Sequence, residues 1–474
     1  MSERHGVYVT EIQPQILAPV SQIATIPVVF GTAPLNLAID GAVNEPVLVD
    51  SWDSFVKKFG NSEDWKSYTL CEFAYSHFKL YKQSPAVFIN VLDPKIHKKS
   101  ASAKEVSIIS GRALLVDEGI LLDSIKLSTA DKDYVKGVDY NAAFNVNGKV
   151  AISVIGGGAI PSNTTVTVSY DMLDPDPVNA TDIIGGTDSD GVVTGLELIK
   201  KVFPLLGVIP SLILAPGFSD DPMVAAIMNA KSIKINGQFN ATAITDIPAN
   251  KKYTELDVWK EKNQFNNNRQ IVTWPKVTKN GLTFCYSTHL AGVICQLDKE
   301  SESVPYRSPS NKALQIDGVV DESGNQIALG PDEGEIINSA GIVTAINFIG
   351  GFRSWGNRTG IYPELKDPQN SFIPVRRMFD WWNNTIILTQ WAYVDDPANK
   401  RLVDAVVDSL NIRLNALMAS GYILGGRVEF NKEDNPPERT MDGKLKFRTY
   451  LTPPSPAQEM EFTVEYDASY LSAI

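Results

Sequence analysis

A chain that begins and ends in a strand with nothing nearby to pair with must satisfy those strands elsewhere. Val7, Tyr8, Val9, Thr10, Glu11 and Ile12 form a β-prone run, and Gln13-Pro14 followed by Pro19 prevents it from growing into a hairpin. At the other end, Met460, Phe462, Val464 and Tyr466 alternate with Glu461, Thr463 and Glu465, the period-two pattern of a half-buried strand. Only eight residues follow Tyr466. A strand left alone exposes a row of unpaired N–H and C=O groups, so these two either fold back or are lent to neighbours. The pattern points toward a polymer.

With 474 residues, 43% hydrophobic and 21% charged, the chain has the material for an ordinary globular protein of about two to four domains. Its formal net charge of −12 argues against a nucleic-acid partner, because a phosphate-tracking surface needs a basic stripe. The short basic run Lys95, Lys98 and Lys99 is read as a solvated linker. Cys71, Cys285 and Cys295 are odd in number and lack a CxxC spacing, which fits a reducing compartment better than a disulfide framework or a thiolate zinc site. The first twenty residues carry no secretion-signal pattern. The apolar stretch Val202 to Ala215 is cut by Pro204, Gly207 and Pro210 and is too short to span a bilayer. The expectation is a cytoplasmic product without membrane insertion.

The expected fold class is α/β (α+β) and multidomain. Residues 22–94 read as α/β: Ile26 to Phe30 is a buried-strand run closed by Gly31, and Val47 to Val49 is followed by Ser51 as a helix cap. Phe73, Phe78, Leu80 and Tyr81 mark a helix face, and Ala86 to Leu92 is a continuous apolar strand ended by Asp93-Pro94. Residues 95–185 change texture to short strands punctuated by Gly and Asn, with Ile120 to Leu127, Ala151 to Ile155 and Thr164 to Tyr170 as members. This segment is expected to be an all-β insertion. The α/β texture resumes over 186–350, where Ser211 to Ala215 is a strand and Asp221 caps a helix that starts at Pro222. Over 351–457, Asp396-Pro397 is expected to start the strongest helix, whose apolar residues recur from Leu402 to Met418 until Gly421 stops it. Leu445, Phe447, Thr449 and Leu451 then alternate with Lys444, Lys446, Arg448 and Tyr450 as a strand. Residues 1–21 and 458–474 are left as linking arms.

Candidate chemistry returns mostly bland readings. His5, His77, His97 and His289 form no metal-ligand spacing, so core or surface histidines are expected and no metal is implied. Gly156-Gly157-Gly158 lacks the GK[ST] ending of a phosphate loop and reads as a β-turn, with no nucleotide cofactor. Ser219 follows a strand end where α/β enzymes place ligands, but no GxSxG surrounds it, and the adjacent Asp220-Asp221-Pro222 serves as a helix start. The acidic stretch from Asp317 to Glu335 does not match a calcium loop. Phe379, Trp381, Trp382, Trp391 and Tyr393 read as a packed core or a subunit contact. No catalytic residue emerges.

Taken in order, several segments resemble the contractile tail sheath family of myophages and phage-tail-like bacteriocins. They are GVYVTE, LILAPGFSDDPMVAAI, AITDIP, STHLAGVICQLDKESESVPYRSPSNKAL, INFIGGFRSWGNRT, RRMFDWW, ALMASGYILGGRVEF and KFRTYLTPPSPAQEMEFTVEY. The most specific is the turn containing Gly350, Gly351, Arg353, Trp355, Gly356, Asn357 and Arg358, read as fold-defining. The resemblance implies hexameric rings stacked helically around an inner tail tube protein, with baseplate and tail terminator proteins as further partners. It also implies assembly in the bacterial cytoplasm into a phage tail or tail-like particle released on lysis. Terminal arms would be lent between subunits: Val7, Tyr8, Val9, Thr10 and Ile12 at one end, and Phe462, Thr463, Val464, Glu465 and Tyr466 at the other. The strand Leu445, Phe447, Thr449, Leu451 would accept them. Contraction would draw on a metastable assembled state rather than a nucleotide. A capsid or surface-layer subunit, or an α/β enzyme with a β insertion, are the rival classes.

Overall fold

The computed structural model describes residues 25–473. Its described residues form two compact units, 25–380 with 455–473, and 381–454.

The first unit is organised by a nine-stranded sheet. Its strands are β1 (Ile26–Gly31), β2 (Val47–Val49), β3 (Ala86–Asn90), β4 (Pro210–Leu214), β5 (Thr242–Asp246), β6 (Gln270–Thr273), β7 (Lys312–Ala313), β8 (Ile342–Phe348) and β9 (Gly351–Trp355). They lie in the order β2-β3-β1-β4-β5-β6-β8-β9-β7. From β3 to β8 every neighbouring pair is parallel, and both outer parts are antiparallel. Parallel strands need covering on both faces, which is why β1, β3 and β5 are buried at every position. Each fully buried Val, Ile or Phe contributes roughly 1.5–3 kcal/mol of transfer free energy to this layer.

The helices supply the cover. Ser51 accepts from Ser54 N–H at the start of α1 (Trp52–Phe59), which lays Phe55 and Phe59 against Phe88 of β3. Asp221 caps α2 (Pro222–Lys231), with Pro222 at its first position as the sequence suggests. The helix α3 (Tyr286–Glu300) is buried over nearly all of its length. The run containing Phe73 and Tyr81 differs from a plain helix: an α-helical turn, Thr69–Ala74, passes into a π-helical one, Tyr75–Leu80, closed by Tyr81 N–H donating to Ser76 C=O. The wider turn shifts the face presented after Ala74.

Residues 98–173 are built from strands and turns with one 3-10 turn, arranged in sheets of three, four and two strands. Ile108, Leu127, Tyr140, Ile152, Val166 and Val168 belong to a core separate from that of the large sheet. One strand expected here is corrected: within Ile120 to Leu127, Ile120 makes a single isolated bridge to Met172, Leu122–Ser124 is a 3-10 turn, and a strand forms only at Lys126–Ser128. Ser124 Oγ donates to Leu121 C=O, a local bond that competes with a ladder. The boundary expected between residues 350 and 351 falls inside a hairpin, because Phe348 pairs with Gly351 across a two-residue turn.

α4 (Ile373–Gln390) begins in the first unit and ends in the second. The helix expected to start at Asp396-Pro397 starts three residues later. Asn399 Oδ1 accepts from Leu402 N–H at 3.0 Å and α5 runs Lys400–Ala419. Asp396 N–H instead closes a turn onto Tyr393 C=O. The buried stripe of α5 is Val406, Leu410, Leu414 and Leu417. It covers β10 (Gly425–Glu429), which pairs antiparallel with β11 (Arg448–Thr452) in a sheet of two strands.

Candidate assembly surface

The two-stranded sheet shows how its sequence makes one covered face and one solvated face. Val428 and Leu451 point to the α5 side and are buried. Gly426 sits where helix and strand approach most closely: a Cβ there would lie 2.9 Å from Leu414 Cδ2 and 3.1 Å from Tyr450 C=O. On the opposite face Arg427 stacks on Tyr450, with its guanidinium carbon 3.8 Å from the ring centre. Lys446 and Arg448 share Asp434, at 2.9 Å and through Arg448 Nη2 at 2.8 Å.

Of the expected acceptor residues, Thr449 and Leu451 lie in β11, whereas Leu445 and Phe447 precede it. The reason lies upstream: Asn435 Oδ1 accepts from Lys446 N–H at 2.7 Å and its Nδ2 donates to Lys446 C=O at 2.8 Å, diverting that backbone from a ladder. Among the described residues, no strand pairs with the other edge of β11.

The carboxyl-terminal arm differs from the strand expected of it. Residues 453–467 form no secondary structure, because a strand without a ladder partner has nothing to hold its backbone. Its apolar alternation nevertheless stands entirely in solvent: Met460 is 72% exposed, Phe462 81%, Val464 92% and Tyr466 81%. Thr463 and Glu465 between them are exposed as well. Val7, Tyr8, Val9, Thr10 and Ile12 lie outside the described residues.

The glycine-rich motif is a hairpin and its exit. Gly350 and Gly351 have φ of +84° and +94°, the left-handed region that a tight turn requires. Arg353 Nε donates to Ile349 C=O at 3.0 Å and ties the hairpin tip to its own stem. Trp355 packs against the main core. Gly356, at φ +132°, has Val343 Cα within 3.0 Å of where a Cβ would stand, so Val343 of the neighbouring strand excludes a side chain. Asn357 C=O accepts the first N–H of α4, from Ile373. Arg358 stacks 3.7 Å from the centre of the Phe372 ring and 4.6 Å from that of Tyr362. It donates to Ser371 Oγ at 2.8 Å and to Gln458 Oε1, at the root of the arm, at 3.1 Å. The motif therefore positions α4 and anchors the base of the arm.

Sequence patterns did not reveal the buried charges. In the RRMFDWW segment, Arg377 donates to Asp298 and to Thr25 Oγ1, while Arg376 and Arg269 both grip Asp380. Charged residues on an otherwise apolar helix were the available signal, and their partners are distant in sequence. A second cluster surrounds the amino end of α3. Asp246 accepts from Ser287 N–H, Thr273 Oγ1 and Ser219 Oγ, and Glu72 accepts from Cys285 N–H at 2.6 Å. Burial first, then the Asp246 charge, pushes the Glu72 carboxyl up to about 8 against the opposing Cys285 hydrogen bond. The Ser219 hydroxyl is thus engaged by a helix-capping carboxylate. His77 and His289 are buried, and burial drives both down to about 3, leaving them neutral. Among the described residues, no group of three or more His, Cys, Asp or Glu is arranged to hold a metal. Trp381 and Trp382 are core residues, whereas Trp391 is 62% exposed.

No protein-family model matches the chain. The tail sheath protein of Burkholderia phage BcepMu is 28% identical over 457 residues, covering 93% of this chain and 92% of that one. The tail sheath protein of Escherichia phage P2 is 25% identical over 300 residues, covering 61% and 72% respectively. Among solved structures, the sheath of the PVC extracellular contractile injection system in its contracted state shares the fold with a TM-score of 0.61 at 14% identity, covering 99% of both chains. The contracted helical sheath of the anti-feeding prophage gives a TM-score of 0.58 at 15% identity, covering 98% of this chain. Over nearly its whole length the chain is similar in sequence to a phage tail sheath protein, and it shares its mixed fold with the sheaths of contractile injection systems.

Proposed function

We propose that the chain is a structural subunit that polymerises as stacked hexameric rings around an inner tube and contracts from a metastable extended state to drive that tube through a bacterial envelope. The observation that carries this reading is the arm after Pro454: an alternating apolar segment, exposed on both faces, in a protein whose β11 edge has no strand partner among the described residues. Lent to a neighbour, such a strand recovers several backbone hydrogen bonds at roughly 0.5–1.5 kcal/mol each and buries its apolar side. The amino-terminal β-prone run Val7 to Ile12 is assigned the same role. Energy is stored mechanically in the assembly, with no turnover and no cofactor; the Glu72 and Asp246 carboxyls and the Ser219 hydroxyl are engaged in hydrogen bonds around the start of α3. Baseplate and terminator proteins bound the polymer, and assembly takes place in the bacterial cytoplasm before release on lysis.

The test is electron microscopy of the expressed protein. Wild type should form tubes rather than sheets or shells. Deleting residues 1–13, or introducing Val464→Pro, should leave a folded chain with near-native circular dichroism that forms none. Tubes of normal length from either variant would mean that the arms fold back on their own chain.

A further inference from the structure

The tip of the β8–β9 hairpin is apolar where its own fold asks only for glycine. Asn347, Phe348, Ile349, Gly350 and Gly351 are exposed in succession, with Phe348 at 52% and Ile349 at 78%. The turn requires the positive φ of Gly350 and Gly351, and it places no demand for two large apolar side chains beside them. Cations flank this tip. Arg353 Nε donates to Ile349 C=O, and Lys312 lies opposite Ser354 on β7, the last strand of the nine-stranded sheet. Arg307 is paired with Glu300 at 2.7 Å, whereas Lys312 and Arg353 have no ion-pair partner among the described residues. Burial, then the Arg307 and Arg353 charges, holds the Lys312 ammonium below its ordinary value, so the three cations share one field.

The other end of the same sheet carries the counterpart. Beside β2 runs an open groove of about 520 Å³, lined by Val47, Leu48 and Leu206 with the charged side chains of Asp40, Glu45 and Lys58. Asp40 has only a 4.0 Å contact with Lys57, and Glu45 has no ion-pair partner among the described residues. Strands β2 and β7 are the outermost of the nine, about 38 Å apart at the usual strand spacing, so a tip cannot reach the groove of its own chain.

We propose that the Phe348–Ile349 tip of one copy seats in the groove beside β2 of a second copy, with Lys312 and Arg353 facing Asp40 and Glu45. This rests on the self-assembly reading above but not on strand lending, since it uses neither arm. Tip and groove lie at opposite ends of one sheet, so the contact is heterologous: each copy added leaves a free tip and a free groove, and association continues as a ring or a helix. The two apolar side chains supply the affinity, and the charges fix the orientation.

Crosslinking in the full-length chain tests the contact directly. Cys71, Cys285 and Cys295 are buried, so the wild type should not react with a short bismaleimide. A chain carrying both Ile349→Cys and Leu48→Cys should give a ladder that runs past the dimer, whether or not tubes form, and each single variant should stay monomeric. No ladder from the double variant overturns the proposal, and so do dimers from Ile349→Cys alone, which would mean that two tips meet. Ile349→Asp, at an exposed position, should leave circular dichroism unchanged and raise the concentration needed for assembly by about tenfold or more. An unchanged threshold would overturn it as well. Glu45→Lys should raise that threshold too, and adding Lys312→Glu in the same chain should restore it; a loss that Lys312→Glu deepens would show that these charges do not meet. The two readings fail separately. Tubes from Val464→Pro together with a ladder would remove strand lending and keep this contact, whereas no ladder from a chain whose tubes depend on Val464 would do the reverse.

Discussion

The nine-stranded sheet and the two-stranded sheet solve the same problem in opposite ways. In the first, parallel strands are covered on both faces, and charges brought inside are matched within the chain: Arg377 with Asp298, and Arg269 and Arg376 with Asp380. In the second, a helix covers one face, the Asn411 side-chain amide closes one edge by bonding to Val428 N–H and C=O, and the other edge has no strand partner among the described residues, with its ion pairs half in solvent. A self-sufficient body can be stable before assembly, while a sheet of two strands is marginal alone and gains from completion. The division assigns stability to one part of the molecule and strand exchange to the other.

The largest effect expected from that division follows from Asp298→Ala. Asp298 and Arg377 are both buried, and truncating the acid leaves the guanidinium without its counter-charge. Removing one partner of a buried pair costs about 3–5 kcal/mol. Urea unfolding followed by tryptophan fluorescence should show a midpoint far below wild type. Asp434→Ala, made against half-exposed Lys446 and Arg448, should leave the same midpoint within error. Equal losses in the two variants would erase the distinction between the regions.

Much of the body was legible in the sequence because burial on both faces leaves continuous apolar runs such as Ile26 to Phe30 and Ala86 to Leu92, and because Ser51 and Asp221-Pro222 carry their capping chemistry locally. The misreadings fall where a side chain captures backbone. Asn399 rather than Asp396 starts α5, and Asn435 delays β11 to Arg448. Asn411 could not be found from pattern at all, since its partner Val428 is defined only once helix and strand pack. The same applies to Glu72 and Asp246, which reach the start of α3 from distant segments.

A smaller effect, confined to a pH window, distinguishes the buried carboxyls of the body from the solvated ones of the association surface. The folded chain holds the Glu72 proton up to about 8, whereas the unfolded chain releases it near the usual carboxylate value of 4.5. Below that value both states are protonated and nothing is lost. As pH rises between the two, only the unfolded state ionises, so stability falls by up to about 1.4 kcal/mol per pH unit and levels off above the folded value. Glu72→Gln keeps an oxygen for the Cys285 N–H and removes the ionisation, so it should become progressively more stable than wild type as pH is raised toward 8. Asp220, raised to about 6 mainly by burial, retains its own share in the variant, so the divergence should be cleanest between pH 6 and 8. Parallel stability curves for the two proteins across that range would show that Glu72 is ionised in the folded state.

The smallest effect is expected where the chain is most different from both sheets, in the β-rich insertion. We expect it to be separable and to face away from the tube axis. Its incoming strand, Lys98–Ser100, and its outgoing strand, Asp171–Leu173, are antiparallel partners, with Lys98 opposite Leu173. The chain therefore leaves the body and returns to it at neighbouring points, within about 5 Å between paired Cα atoms. Its apolar residues form their own core, so excising them uncovers little of the main one. A short Gly/Ser linker in place of residues 98–173 closes a gap that a few residues can span, and the entropy of loop closure changes only slowly with length. The shortened protein should unfold close to the wild-type midpoint and still form tubes by electron microscopy. If it is folded by circular dichroism but forms none, the insertion is part of the mesh, and the mesh cannot be assigned to the arms and the β11 edge alone.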